Sequence, residues 1–393
     1  MMPTRRGLIV LVAGVLLAGA GYLYGYAELV ALGAVAVAAF VGALLFAGAR
    51  PSLAVRRHLE PERVNRGELC SAVVDVRSTA RWRSQALVGV ERLTRGEDEP
   101  RTVPVPMIRL KAGAATYLRY PLPTDRRGVI DVGPMEISRR DPLGLVAATR
   151  RYGGIARMWV HPRVHQLRTV PVGVSRSLDG LVDAAQYGSI TFHALREYVP
   201  GDDLRHVHWR TSAHIGELMV RQHVETSLPR IVVLLDDRTA THPQPAGATD
   251  SLEETIEAAA SVLVAALRAE LHVELHLVSG RAVTPQAAGA PVIGVGPYLD
   301  LLAETQRAPD ASLPAAVRRL RARHRGDTLV LLTGSHAGAD LEQVGLLRDV
   351  YPTVVAGVLG EGTVSLAGLP GLILIVAETA ERFAPRWDGV SRW

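Results

Sequence analysis

The side chains best placed to do chemistry are two adjacent carboxylates, Asp236 and Asp237, which end an apolar run. Hydroxyl side chains end two other apolar runs, at Ser279 and Thr333. In an open α/β sheet the functional crevice lies beyond the carboxyl ends of the strands, so these oxygens are expected to meet there. Oxygen ligands suit a hard divalent cation such as Mg²⁺, so Asp236 or Asp237, together with a hydroxyl such as that of Thr333, are candidate ligands. In the simpler alternative, Asp236 only accepts hydrogen bonds from loop amides.

A second group of reactive side chains lies in residues 196–225, which read REYVPGDDLRHVHWRTSAHIGELMVRQHVE. Arginines and carboxylates alternate here, as expected for a compact charge network or an anion pocket. The turn Val199–Asp203 predicts an aspartate N-cap for a short helix beginning near Leu204. His206 and His208 are two residues apart and would point to different sides of that helix, so ordinary histidines are favoured over metal ligands.

Composition excludes several classes of protein. Cys70 is the single cysteine, so an internal disulfide framework or a multi-thiolate zinc site is ruled out. The sequence contains no Walker A motif, no dinucleotide-type GxGxxG and no HExxH. The net charge is +5, but the 44 basic residues are interleaved with 39 acidic ones. Since nucleic-acid binders usually cluster their basic residues, an arginine-rich nucleic-acid binder is the weaker alternative.

The elements that must position these side chains are predicted to form a doubly wound α/β sheet over residues 230–393. Near-continuous Val, Leu and Ile runs indicate parallel strands buried on both faces. Helical periodicity lies between them, most clearly over Ser251–Leu271, whose start resembles a capping box. The predicted strands are Arg230–Asp237, His272–Ser279, Thr328–Thr333, Thr353–Leu359 and Leu372–Ala377, and the other helices are Leu313–His324 and Leu341–Val350.

Two further regions precede this sheet. Residues 51–168 contain short alternating runs separated by Gly, Pro and charged clusters, a pattern typical of a β-sandwich-like domain. Residues 169–229 join that domain to the sheet and contain the charged string described above. Because nothing in residues 51–168 has a catalytic spacing, we interpret that domain as a scaffold or interaction module.

The first 50 residues are predicted to form a two-helix transmembrane hairpin. Two uncharged runs, at about 7–26 and 29–49, are each long enough to cross a bilayer. Arginines precede the first run and follow the second, which places both ends in the cytoplasm by the positive-inside rule. The alternative is a cleaved signal peptide, which would export the remainder of the chain but would leave the second run unexplained.

The central string closely resembles the signature of the bacterial family known as domain of unknown function 58. Upstream, Arg140–Leu145 (RDPLGL) resembles the family's RDPFG segment, with Leu143 where Phe is commoner, and paired N-terminal spans are usual in the family. The signature residues are Arg196, Tyr198, Gly201, Asp202, Asp203, Arg205, Trp209, Ser212 and Ala213.

The resemblance implies that the α/β domain is similar to a von Willebrand factor type A domain. Such domains often carry a metal-ion-dependent adhesion site that begins DxSxS after the first strand. Asp236 matches the aspartate, whereas Arg238 and Ala240 replace the two serines. Because Arg238 brings a cation to the place of the metal, we expect a degenerate site and no cofactor.

The resemblance also implies partners. Family members are similar to proteins that act with MoxR-type AAA+ ATPases, often beside transglutaminase-like membrane proteins. We therefore expect a non-enzymatic adaptor in the inner or plasma membrane, with its soluble domains in the cytoplasm and a chaperone-like or envelope-related role. The competing hypothesis is a divalent-metal-dependent hydrolase that uses Asp202, Asp203 or Asp236.

Overall fold

The computed structural model describes residues 2–48, 53–79, 85–96, 98–111, 113–171, 192–199, 207–223, 230–243, 250–284, 294–323, 326–337, 340–361 and 372–390. These residues form two compact units, Met1–His161 and Pro162–Trp393. The boundary precedes the one predicted after Arg168, because the segment beyond Pro162 is bonded to the second unit. The backbone N–H of His165 donates to Ser261 at 2.9 Å, and that of Thr169 donates to Asp388 at 3.2 Å.

The first unit contains the two predicted apolar helices, α1 (Arg5–Tyr24) and α2 (Ala27–Gly48). They contain 20 and 22 residues, with mean hydropathies of 2.1 and 2.6, so both are long and apolar enough to cross a bilayer. α1 ends two residues before the predicted end at Tyr26. The reason is that Gly25 adopts a left-handed conformation and donates its N–H to the Gly21 carbonyl, which ends the helix.

The two helices pack through small residues. α1 buries Gly7, Gly14 and Gly21, which recur every seventh residue. A Cβ atom on Gly33 of α2 would lie 2.5 Å from the Gly14 carbonyl oxygen and 2.6 Å from the Ala18 nitrogen. Only glycine permits this backbone approach, as is typical of helix pairs in membranes.

The remainder of the first unit consists of two β-sheets. One has seven strands, in which β1, β9, β8, β10 and β3 follow in order and β5 joins both β8 and β6. The other has three strands in the order β2, β4, β7. The strands are β1 (Met2–Pro3), β2 (Leu53–Glu60), β3 (Arg63–Asn65), β4 (Cys70–Ser78), β5 (Gln85–Arg95), β6 (Arg101–Leu110), β7 (Ala115–Leu122), β8 (Gly128–Arg140), β9 (Val146–Tyr152) and β10 (Ala156–His161).

The two sheets share one hydrophobic core. Alternate residues of β4 are buried, as the period of a half-buried strand requires. A charged cluster lies inside this core: Arg57 of β2 donates to Glu91 of β5 at 2.7 Å, and the Tyr120 hydroxyl of β7 also donates to Glu91. Burial raises the pKa of Glu91, although Tyr120 and Arg57 oppose the increase. The cluster therefore joins the two sheets by polar bonds.

The first two strands described in the second unit form a small hairpin that contains part of the charged string. β11 (Phe192–Glu197) pairs antiparallel with β12 (Met219–His223), and the seven-residue helix α3 (Trp209–Ile215) lies between them in sequence. The helix predicted from Leu204 begins only at Trp209. Val207 instead forms a β-bridge with Val220, so its backbone is extended before α3 begins.

The main sheet of the second unit has six strands in the order β15, β14, β13, β16, β17, β18. All neighbours are parallel except β14 and β15, which are antiparallel. Its elements are β13 (Arg230–Leu235), α4 (Ser251–Arg268), β14 (His272–Leu277), β15 (Ala282–Val283), α5 (Gly296–Glu304), α6 (Leu313–Arg323), β16 (Thr328–Gly334), α7 (Leu341–Gly345), β17 (Thr353–Leu359), β18 (Ile373–Ala377) and α8 (Ala380–Asp388).

Helices cover both faces of this sheet. The core on one face contains residues of α4, α5 and α8, and the core on the other face contains residues of α6 and α7. β16 is buried at every position, as expected for a strand covered on both sides.

The predicted cap of α4 is wrong in detail: Asp250, rather than Ser251, is the N-cap and accepts from the Leu252 N–H at 3.0 Å.

Candidate functional site

The candidate site lies where β13 and β16 end side by side. β13 is the first strand of the sheet, and the chain then places β14 on one side of it and β16 on the other. Crevices at such switch points are where open α/β sheets bind ligands. The Asp236 N–H donates to the Leu332 carbonyl at 2.9 Å, so the strand ends stay paired up to the first carboxylate.

Asp236 is held by four hydrogen bonds. Arg238 donates from Nε to Oδ1 at 2.9 Å, from Nη2 to Oδ2 at 2.8 Å and from its backbone N–H to Oδ1 at 3.1 Å. Thr333 at the end of β16 donates its hydroxyl to Oδ2 at 2.7 Å. Arg238 Nη2 also contacts Asp340 Oδ2 at 2.8 Å. We call Asp236, Arg238, Thr333 and Asp340 the strand-end clasp.

The charges of the strand-end clasp are internally balanced. Asp236 is 1% exposed and Arg238 is 9% exposed. Burial alone would raise the pKa of Asp236, but the hydrogen bonds and charge of Arg238, together with Thr333, bring this pKa below its usual value. The two carboxylates raise the pKa of Arg238 despite its burial. The guanidinium therefore lies as a permanent cation between Asp236 and Asp340.

Asp237 has a different set of partners. Its Oδ1 accepts from the Ser279 N–H at 2.9 Å, and its carbonyl accepts from the Ala308 N–H at 2.7 Å. Burial is the largest influence and raises the pKa of Asp237, while bonds from Ser279 oppose this. The strand ends thus bring Asp236 to Thr333 and Asp237 to Ser279, as two separate hydrogen-bonded groups.

A buried histidine supports the loop after β13. His242 is 0% exposed, and its Nε2 lies 2.8 Å from the Asp236 carbonyl, which can only accept. Its Nδ1 lies 3.0 Å from the Ser251 hydroxyl, which can donate to it. These contacts favour the neutral ring with the proton on Nε2. Burial also lowers the pKa of His242, the nearby Asp236 opposing the effect.

The donor set does not fit a divalent cation. Mg²⁺ requires oxygen ligands that are free to converge on the ion, but Arg238 already occupies the space between Asp236 and Asp340. Within the ranges described above, no three His, Cys, Asp or Glu side chains form a metal-ligand group. The guanidinium supplies the positive charge between these two carboxylates.

The signature residues are only partly visible. Arg196 lies on β11 opposite Val220, and the Tyr198 N–H donates to the Leu218 carbonyl at 2.8 Å. Trp209 begins α3 and is 64% exposed, and Ala213 is also exposed. Gly201, Asp202, Asp203 and Arg205 lie outside the described residues.

Ser212 has a structural contact within the signature. It is buried, accepts from the Met219 N–H at 2.8 Å and donates to the His208 carbonyl at 3.1 Å. It therefore fastens α3 to the start of β12 and leaves Trp209 at the surface.

Sequence reasoning missed Asp340, His242 and Ser251. Asp340 lies 102 positions from Arg238 along the chain, so no local spacing connects the two residues. The available signal was Arg238 itself, because a guanidinium has five N–H donors and a single carboxylate does not use all of them.

A family model described as "Protein of unknown function DUF58" matches residues 194–353. We call residues 194–353 the DUF58 region, after the family that they resemble. The resemblance predicted from the central string is thereby confirmed. The DUF58 region extends from β11 to the start of β17 and contains all four residues of the strand-end clasp.

Other similarities cover less of the chain or are weak. YeaD, an uncharacterized protein of Bacillus subtilis, is 25% identical over 183 residues, which are 46% of this chain and 42% of YeaD. The chain therefore spans less than half the length of this curated relative. Among solved structures, the DNA glycosylase AlkC of Pseudomonas fluorescens is 20% identical over 28% of this chain and 33% of AlkC, with a TM-score of 0.22. A β-glucosidase of Listeria innocua is 12% identical over 28% of this chain and 16% of its own, with a TM-score of 0.18. At these scores the two structures carry no argument about fold or function.

Proposed function

We propose that this protein is a membrane-anchored, non-enzymatic adaptor that binds a MoxR-type AAA+ ATPase. In this proposal α1 and α2 cross the inner or plasma membrane, and both soluble units face the cytoplasm. The arginines that flank the two helices support this orientation. A transglutaminase-like membrane protein is the second expected partner.

The strand-end clasp is the observation that carries the non-enzymatic part of the proposal. A metal-dependent hydrolase would need Asp236 free to hold a cation or to move a proton. Instead the Asp236 carboxylate accepts four hydrogen bonds, three of them from Arg238. The carboxylate is thus buried and fully hydrogen-bonded, which suits a structural role better than turnover.

The fold of the second unit supports a comparison with von Willebrand factor type A domains. We propose that the six-stranded sheet is such a domain with a degenerate adhesion site, in which Arg238 replaces the metal. The position of the clasp at the switch point between β13 and β16 supports this proposal. Since domains of this type serve binding in many contexts, the comparison favours an adaptor, although fold alone does not decide function.

The small hairpin supplies a docking surface for the ATPase. The hairpin exposes several apolar side chains, and exposed apolar patches often mark interaction sites. A large aromatic side chain in such a patch is a frequent binding hot spot. Trp209 is the largest of them. The exposed apolar residues are Val199, Trp209, Ile215 and Leu218.

Affinity capture with ATP present tests the proposal. The full chain is purified from detergent-solubilised membranes and probed for the MoxR-type ATPase of the same organism. We expect the ATPase to accompany the wild type, and to be lost with Trp209→Ala and with Asp202→Ala/Arg205→Ala. The matched control is Tyr117→Ala, which removes an aromatic side chain that is 72% exposed on β7.

Two results would contradict the adaptor hypothesis. One is the absence of the ATPase from the wild-type capture. The other is turnover of a substrate by the purified chain alone with a divalent ion, abolished by Asp236→Asn, which would support the hydrolase instead.

A further inference from the structure

The turn between β8 and β9 is fastened to the start of the first apolar helix. We call Asp141–Leu145 the β8–β9 tip. The Thr4 N–H donates to the Leu145 carbonyl at 2.9 Å, and the Thr4 hydroxyl donates to the Gly144 carbonyl at 2.7 Å. A Cβ atom on Gly7 would lie 2.0 Å from the Leu145 carbonyl oxygen, so only glycine allows the tip to lie this close to α1.

The tip packs against the two helices in one apolar cluster. This cluster contains buried residues of α2 and of the β8–β9 region, and two side chains of α1 pack against them. The buried members are Phe40, Ala43, Ala47, Leu145, Val146 and Ala148, and the α1 residues are Val10 and Leu11.

The depth of these contacts places the tip at the bilayer. Leu11 lies about 9 Å along α1 from Arg5, and Phe40 lies about 12 Å along α2 from Gly48. α1 is about 30 Å long, which is the thickness of a hydrocarbon core. A helix of this length cannot both span the core and extend far into the cytoplasm, so its contacts draw the tip to the level of the headgroups and outer acyl chains.

Three N–H groups of the tip already have hydrogen-bond partners, as an apolar environment favours. The Asp141 carboxylate accepts from the N–H groups of Leu143 at 2.9 Å and Val146 at 2.7 Å. The Gly144 N–H donates to the Asp141 carbonyl at 3.0 Å, and Pro142 has no N–H. These bonds leave Leu143 directed outward, where it is 64% exposed.

We propose that the β8–β9 tip is a third membrane-contact element, in which Leu143 enters the interface of the cytoplasmic leaflet beside α1. The exposed Arg5 and Arg6 at the start of α1 face the phosphate headgroups of that leaflet. The inference rests on the proposed membrane anchoring of α1 and α2. Its consequence is that the β-rich unit is held in a fixed orientation against the bilayer rather than on a free tether.

Spin labels in the full chain test the inference. In a Cys70→Ala background, single cysteines carrying nitroxides are placed at Leu143, at Leu16 of α1 and at Leu69, and each chain is reconstituted into phosphatidylcholine/phosphatidylglycerol nanodiscs. High accessibility of a nitroxide to oxygen shows that the label lies in lipid. High accessibility to a water-soluble nickel chelate shows that it lies in water. Leu16 is 66% exposed on the helix, and Leu69 is 89% exposed next to β4.

Leu69 is the aqueous control because it lies at the other end of the β-rich unit. The neighbouring Glu68 carbonyl accepts from Thr124, which precedes β8, whereas the tip follows β8. β8 has 13 residues and is about 43 Å long. We expect the Leu143 label to be much less accessible to the nickel chelate than the Leu69 label. Its accessibility to oxygen should approach that of the Leu16 label.

A second variant tests the geometry of the tip. Adding Asp141→Ala removes the bonds to Leu143 and Val146, and we expect nickel accessibility at Leu143 to return. If Leu16 is lipid-exposed while Leu143 matches Leu69, the inference is overturned and the anchoring stands. If Leu16 is itself accessible to nickel, both the anchoring and the inference fail.

Discussion

Arg238 determines the chemistry of the strand end. One guanidinium contacts two carboxylates, Asp236 and Asp340, and balances their charge. Arginine suits this position because its planar donors pair with a carboxylate through two parallel bonds. Truncating Arg238 would leave two carboxylates facing each other without compensation, which is the condition that attracts a divalent ion.

We predict that Arg238→Ser/Ala240→Ser creates a Mg²⁺ site. The double variant frees Asp236 and Asp340 and adds two hydroxyls, so saturating Mg²⁺ should raise its melting temperature and EDTA should reverse the increase. At 100 times the dissociation constant the stabilisation is about 2.7 kcal/mol. Calorimetry of the full chain in detergent gives the measurement.

The control for this prediction is Arg307→Ser, which removes an arginine paired with Asp250 outside the strand-end clasp. Its melting temperature should not respond to Mg²⁺. A Mg²⁺ response of the wild type equal to that of the double variant would show that Arg238 does not exclude the ion.

Between elements, the two sheets of the first unit depend on one buried charged group. Arg57 and Glu91 have side chains that are 2% and 0% exposed, and they connect β2 to β5. Arg57 also donates to the carbonyls of Val132 at 2.9 Å and Gly154 at 2.7 Å. Hydrophobic contacts between the two sheets are not directional. The hydrogen bonds of Arg57 are directional, so they favour one alignment of the three-stranded sheet on the seven-stranded sheet.

We predict that Arg57→Met strongly destabilises the first unit. It leaves Glu91 buried without its cation, a change that typically costs about 3–5 kcal/mol. The exposed pair Arg157–Asp131, at 2.9 Å and with side chains 58% and 37% exposed, is the matched comparison. Arg157→Met should cost no more than about 1 kcal/mol. Urea unfolding of the full chain measures both, and equal losses would refute the role of the buried pair.

For the whole molecule, function depends on which side of the membrane holds the soluble units. The two helices are joined by a turn at Gly25 and Tyr26, so both soluble units must lie on the side opposite that turn if both helices span. The adaptor hypothesis requires the cytoplasm, where ATP and an AAA+ partner are found. The signal-peptide alternative would place both units outside.

We predict that the turn between α1 and α2 faces the outside of the cytoplasmic membrane. In the Cys70→Ala background, Tyr26→Cys should react with a membrane-impermeant maleimide in intact spheroplasts, because Tyr26 is 59% exposed at the turn. Leu69→Cys should react only after permeabilisation. Labelling of Leu69→Cys in intact spheroplasts would show that the soluble units are exported and would contradict the adaptor hypothesis.

Much of the architecture was predictable because it depends on local patterns. Uncharged runs of about 20 residues predicted the helices α1 and α2, and continuous aliphatic runs predicted the strands β13, β14, β16, β17 and β18 but not the two-residue strand β15. The central string predicted the DUF58 resemblance, which the family match confirms. These features depend on hydrophobic periodicity and on a contiguous motif, both of which can be read along a single chain.

Tertiary structure alone decided what the charged residues do. The sequence marked Asp236, Thr333 and Arg238, but only the parallel pairing of β13 with β16 brings them together, and only the fold adds Asp340. Likewise, Arg57, Glu91 and Tyr120 are far apart in sequence, and the position of Leu143 beside α1 depends on the pairing of β1 with β9. Hydrogen bonds and ion pairs act over a few ångströms, so their partners are determined by the fold and not by spacing along the chain.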